Sequence, residues 1–142
     1  MRLIIPVVPM GAVRMTGRGK WVKSRAQKYL DYKTTVAWEA KRQANLEVPI
    51  SKPIRIREVV FVMPMPKSGY VSYREQGKRK KKKVNPGDYH TIRPDIDNLF
   101  KGVTDSLNGI IWKDDSLICE VDRQRKIYGK EPRIEIEIEE IV

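Results

Sequence analysis

Cysteine is almost absent: the 142 residues contain one, Cys119, so no disulfide framework can form within the chain. Its place in the apolar run Leu117-Ile118-Cys119 predicts a core thiol, which suits a reducing, cytoplasmic setting. Histidine is as scarce, with His90 alone. That argues against a His-based zinc site and against Ser-His or Cys-His nucleophilic catalysis. No apolar run approaches the ~20 residues of a membrane span. Nor does any basic helix carry a continuous apolar face with Trp and Phe for lying on a membrane. The opening MRLIIPVVPM is too short, and too soon broken by proline, for a signal peptide. Acidic residues are few beside basic ones, 18 against 29, which leaves a net charge of +11. Such an excess concerns partners and not fold: it favours a polyanion and, with the membrane set aside, nucleic acid. The length suits one domain over residues 1–142 with one hydrophobic core.

The periodicities predict a small α/β domain. Leu3 to Val8 is a β-branched run ending at Pro9 and reads as a buried strand. Residues 10–20 form a glycine-punctuated loop whose charges are all positive. This is either a solvated loop or a segment in which Arg14, Arg18 and Lys20 approach phosphates, the glycines allowing close contact. Trp21 either packs in the core or stacks on an unpaired base. Ser24 is a fitting N-cap for a helix to about Asn45, with Tyr29, Val36, Ala37 and Ala40 inward and Lys23, Arg25, Lys28, Lys33, Lys41 and Arg42 over the rest. Ile54 to Met63 alternates and then turns wholly apolar, as a strand does on entering a core. Between 67 and 92, Gly69, Gly77, Pro86 and Gly87 interrupt any pattern, and the block Lys78 to Lys83 repels itself. A flexible basic loop is expected there, adding affinity for nucleic acid through Lys80, Lys81 and Lys82 but no chemistry. Leu117 to Tyr128 reads as a strand that leaves the core and becomes charged, with Arg123, Arg125 and Lys126 flanking the nucleic acid. Arg133 to Glu139 alternates strictly, isoleucines to the core and glutamates to solvent. Together these elements imply a mixed sheet of about four strands packed with two main helices.

The chemistry-bearing stretch is Arg93-Pro94-Asp95-Ile96-Asp97-Asn98-Leu99-Phe100-Lys101. Pro94 suits a helix entry, and Asp95 is placed to cap the first turn through its carboxylate. Leu99, Val103 and Leu107 make an apolar stripe, while Asp97, Lys101 and Asp105 line up on another face. Asn108-Gly109 tolerates the left-handed geometry that closes a helix. Asp95 and Asp97 therefore lie close together at a helix mouth. Each has an ordinary reading, as a cap and as a surface partner of Lys101. Two neighbouring carboxylates also repel unless a hard divalent cation lies between them. A second acidic pair, Asp114-Asp115, follows the apolar Ile110-Ile111-Trp112, which should return the chain to the core beside the helix. An EF-hand loop is excluded, since Phe100 and Ser106 stand where its Gly and Glu belong.

The run RPDIDNLFKGVTDSLNGIIWKDDSLI resembles the signature of the RusA family of Holliday junction resolvases, K/R-P-D-x-D-N-L-x-K-x-x-x-D-x-L-N-G-x-x-W-x-D-D, at nearly every fixed position. The resemblance implies a dimeric, magnesium-dependent endonuclease of bacteria and their prophages that resolves four-way DNA junctions by paired nicks. It places metal carboxylates on Asp95, Asp97 and Asp115 and a catalytic lysine on Lys101; Asp114 matches an acidic position without a clear role. Arg93 stands where the family often has Lys and joins the residues expected to touch DNA. Oxygen-only ligation favours Mg²⁺, with Mn²⁺ as a substitute, over Zn²⁺. The implied partners are branched DNA and a second copy of the chain, with no membrane and no small-molecule cofactor. Two other readings share the composition: a DNA- or RNA-binding protein without catalysis, and a nuclease acting on other branched DNA.

Overall fold

In a computed structural model that describes residues 1–14 and 24–142, β2 (Ile54–Pro64) is the strand around which the sheet is built. On one side it pairs antiparallel with β7 (Arg133–Glu140), which pairs antiparallel with β1 (Arg2–Ile5). On its other side two short strands follow one another, both parallel to it: β5 (Ile118–Val121) and then β6 (Gln124–Gly129). The mixed sheet thus has five strands. The expected single strand over 117–128 is divided at Asp122-Arg123, where Asp122 N donates to Ile56 O and Val59 N donates to Arg123 O.

A bulge explains how β2 is both alternating and continuous in apolarity. Ile54 and Ile56 face the core, the register shifts between Ile56 and Glu58, and the inward set then becomes Val59, Phe61 and Met63. Against this face pack α1 (Ser24–Ala44), through Tyr29, Tyr32, Val36 and Ala40, and α2 (Ile96–Leu107), through Leu99, Val103 and Leu107. Burying Ile134, Ile136 and Ile138 from β7 fulfils the strict alternation, since period two puts every second side chain on one face. After α2 the apolar Ile111 and Trp112 return to the core, as their composition requires. Ile50 N donates to Ile111 O and Lys113 N to Ile50 O, and the Trp112 indole N–H reaches Asn108 Oδ1 at 2.8 Å.

Two expectations are corrected. Residues 67–92 hold a regular antiparallel hairpin, β3 (Tyr70–Glu75) with β4 (Lys78–Lys83), where an irregular loop is expected. Gln76 and Gly77 both have positive φ (51° and 76°), the geometry of a two-residue hairpin turn. Cys119 is exposed, not a core thiol: β5 lies at the sheet edge and its side chain points outward. Among the described residues no helix is long and apolar enough to cross a membrane.

Candidate active site

The mouth of α2 opens onto a cleft of about 650 Å³ lined by Pro9, Met10, Gly11, Arg25, Arg93, Pro94, Asp95, Asp97 and Asn98. Asp95 occupies the N-cap with extended backbone (φ −69°, ψ 150°), but its carboxylate makes no capping hydrogen bond. The cap expected from its position is therefore not formed, and its oxygens remain free for another partner. Asp97, in the first turn, accepts from Asn98 N at 2.9 Å through Oδ1 only. Both carboxylates sit at the positive end of the helix macrodipole, which also favours any anion brought beside them.

What holds this corner in place is largely invisible in the sequence pattern. The Lys126 ammonium, from β6, donates to Ile92 O at 2.6 Å and Pro94 O at 2.7 Å, and so fastens the turn that delivers Asp95. Burial lowers its pKa from the ordinary lysine value, while the Asp95 charge works in the opposite sense. Lys126 was expected to flank DNA; here its cation is directed at the backbone below the acidic pair. Beside it His90 is buried, and burial followed by the Lys126 charge lowers the imidazole pKa. On the opposite wall, Ala12 N donates to Asn98 O at 3.1 Å and Asn98 Nδ2 to Ala12 O at 3.2 Å. Gly11 leaves room for this approach: a Cβ there would stand 2.6 Å from Asn98 Nδ2 and would force the amide to shift.

The sequence-predicted residues divide into groups. Asp95, Asp97 and Arg93 share the cleft, joined by Arg25, whose basic neighbours on α1 gave no hint of that position. Lys101 does not line it; its exposed ammonium pairs with Asp105 at 3.4 Å, and Asp105 is also 3.4 Å from the Tyr29 hydroxyl. Asp115 is half-buried at the start of a 3-10 turn (Asp115–Leu117) and is not among the cleft residues. Among the described residues no group of three or more His, Cys, Asp or Glu side chains is placed to hold a metal ion. Asp114 has a structural duty: it caps that turn, accepting from Ser116 Oγ and from Ser116 N, and these bonds lower its pKa. Arg14 is exposed, as are Lys80, Lys81 and Lys82 on β4; Arg18, Lys20 and Trp21 lie outside the described residues.

The donor chemistry still fits a hard cation. Mg²⁺ keeps several waters and commonly takes one or two protein carboxylates together with substrate phosphate oxygens, a donor set that Asp95 and Asp97 fit. Both present oxygen only, as Mg²⁺ or Mn²⁺ prefers. The two guanidinium groups in the same cleft match the planar, bidentate recognition of phosphate.

Residues 5–139 match the family described as Endodeoxyribonuclease RusA. The chain is also 31% identical over 133 residues to the uncharacterized protein YqaN of Bacillus subtilis (strain 168), covering 94% of this chain and 87% of that protein.

Proposed function

The chain belongs to the RusA endodeoxyribonuclease family, and from that premise we propose that it is a Mg²⁺-dependent nuclease cutting four-way DNA junctions by paired symmetric nicks in recombination and repair. The observation that carries this reading is the pair of carboxylates, Asp95 and Asp97, facing a cleft shared with two arginines at a helix N-terminus. Asp95 and Asp97 would hold a divalent cation, which would supply Lewis acidity to the phosphate and lower the pKa of water. Arg25 and Arg93 bind the non-bridging oxygens and orient the phosphodiester, with the free N–H groups of the first turn of α2 adding to the anion site. Asp115, which does not line the cleft, would be a third carboxylate toward the metal, a role supported by the motif resemblance alone. Lys101 stabilises the departing oxygen. Its present partner is a surface one, worth about 1 kcal/mol or less, so leaving Asp105 for DNA costs little. No protein nucleophile is required.

Symmetric nicks across a two-fold junction call for two sites related by a two-fold axis, hence a homodimer. The test is cleavage of a labelled four-way junction beside linear duplex and flap DNA, with Mg²⁺ or EDTA, by wild type and Asp97→Asn. Paired nicks in the junction only, with metal and wild type only, are expected. Asp97→Asn should keep or tighten binding, because it removes negative charge. Tight binding without cutting in Mg²⁺ or Mn²⁺ would leave a nucleic-acid-binding protein. Equal cutting of flaps would keep the chemistry and discard the junction specificity.

A further inference from the structure

The β3–β4 hairpin has no core of its own. Every residue of β4 is exposed, and in β3 only Val71 is partly covered. A lone two-stranded hairpin is at best marginally stable in water, so a chain that builds one from charged residues gains little from packing. Its two faces differ. Cross-strand partners share a face, so the register Tyr70↔Lys83, Ser72↔Lys81, Arg74↔Arg79 gives one face four cations and no carboxylate. The other face pairs Val71 with Lys82, Tyr73 with Lys80 and Glu75 with Lys78, and there Glu75 holds Lys80 at 3.3 Å.

The base of the hairpin is joined to the acidic cleft through the edge of β6. Val84, just after β4, is buried, and its N–H donates to Gly69 O at 2.9 Å. The chain then runs along the open edge of β6: Gly87 N donates to Tyr128 O, Tyr128 N to Asp88 O, and His90 N to Lys126 O. Lys126 in turn fastens Ile92 and Pro94, next to Asp95. Asn85 to Asp88 form a turn, with Asp88 N donating to Asn85 O at 3.1 Å, and beyond Val84 the six-residue strands of the hairpin reach about 20 Å. A ribbon of that length spans about six base pairs.

We propose that β3–β4 is a β-ribbon arm that enters the major groove of a duplex arm beside the cleaved strand, with Arg74, Arg79, Lys81 and Lys83 facing the DNA. The proposal rests on the nuclease reading for the identity of the polymer. Two strands about 4.8 Å apart with their side chains fit a major groove ~12 Å wide and not a minor groove ~6 Å wide. Duplex RNA, whose major groove is deep and narrow, cannot take the ribbon.

The experiment compares the full chain with two triple variants carrying equal charge changes on one strand: Arg79→Gln, Lys81→Gln, Lys83→Gln, and Lys78→Gln, Lys80→Gln, Lys82→Gln. Affinity for a 20-base-pair DNA duplex, and for the same length of duplex RNA, is measured in EDTA over a range of salt. Each lost phosphate contact lowers the slope of log K against log salt by ~0.9, so the first triple should lose about 2–3 and the second less than about 1. Filling the major groove with glucosylated hydroxymethylcytosine should weaken wild type and leave the first triple almost unchanged. On RNA the three proteins should show equal slopes. Equal losses by both triples on DNA would overturn the proposal, whether through a diffuse charge cloud or a hairpin that both variants unfold. So would a wild-type slope in the first triple, a face-dependent loss on RNA, or hairpin-dependent binding to anionic vesicles in place of DNA. Face-dependent slopes in a wild-type chain that cuts no DNA would sink the nuclease reading and leave the ribbon standing; cutting without face dependence would do the reverse.

Discussion

Replacing Lys126 by methionine tests whether the acidic pair is positioned from β6. The change keeps much of the aliphatic stem and removes the ammonium that bonds Ile92 O and Pro94 O at 2.6 and 2.7 Å. Two charge-assisted hydrogen bonds would be worth ~1.5–3 kcal/mol each if fully shielded. The group is only half-buried, and water can replace part of what is lost, so the net expectation is about 1–2 kcal/mol. For a chain of this size that corresponds to a fall in Tm of roughly 3–8 °C. Activity should suffer more, since a displacement of ~1 Å at a reacting centre costs on the order of 10²-fold. Thermal melts and single-turnover cleavage of a junction at saturating enzyme measure the two effects separately. Lys126→Arg, which retains the charge and its donors, should recover most of the rate. A Lys126→Met protein that cleaves at the wild-type rate and differs only in the salt dependence of DNA binding would refute the positioning argument and make Lys126 an ordinary phosphate contact.

Other expectations follow from the same geometry. His90 has a folded pKa below its ordinary value of about 6.5, so the unfolded chain takes up the proton first. Stability should be level above about pH 6.5 and fall as the pH drops from there through the depressed value; His90→Gln should flatten that part of a melting profile, and an unchanged profile would count against burial as the cause. Gly11→Ala sets a Cβ 2.6 Å from the Asn98 amide and should cost ~1–3 kcal/mol in a denaturant melt while weakening cleavage. Cys119, being exposed, should react with a thiol reagent in the native protein as fast as in the unfolded chain; protection until unfolding would place it in the core after all. Asp114→Ala removes the cap of the 3-10 turn and should lower the melting temperature only slightly, with little loss of cleavage. A loss as complete as that of Asp97→Asn would instead give Asp114 a direct role.

Local pattern in the chain decided the helices, the period-two isoleucines of β7, the return of Ile111-Trp112 to the core, and the acidic pair at the mouth of α2. These follow from side-chain periodicity and from residues whose backbone preferences act within a turn or two. The net charge pointed to a polyanion for the same reason: it needs no coordinates. What tertiary structure decided are relations between residues distant in sequence. Lys126 reads as one more surface cation until β6, pairing parallel with β2, directs it under Pro94. Arg25 is one basic residue among many on α1 until packing brings it to the same cleft as Asp95. The bulge after Ile56, the outward turn of Cys119 and the capping duty of Asp114 depend on a register or a hydrogen bond that pattern alone does not specify. The basic block 78–83 shows the limit best. Its composition predicts self-repulsion, but the left-handed pair Gln76-Gly77 and the ladder to β3 give it a ribbon, and only that ladder sorts its six cations between two faces.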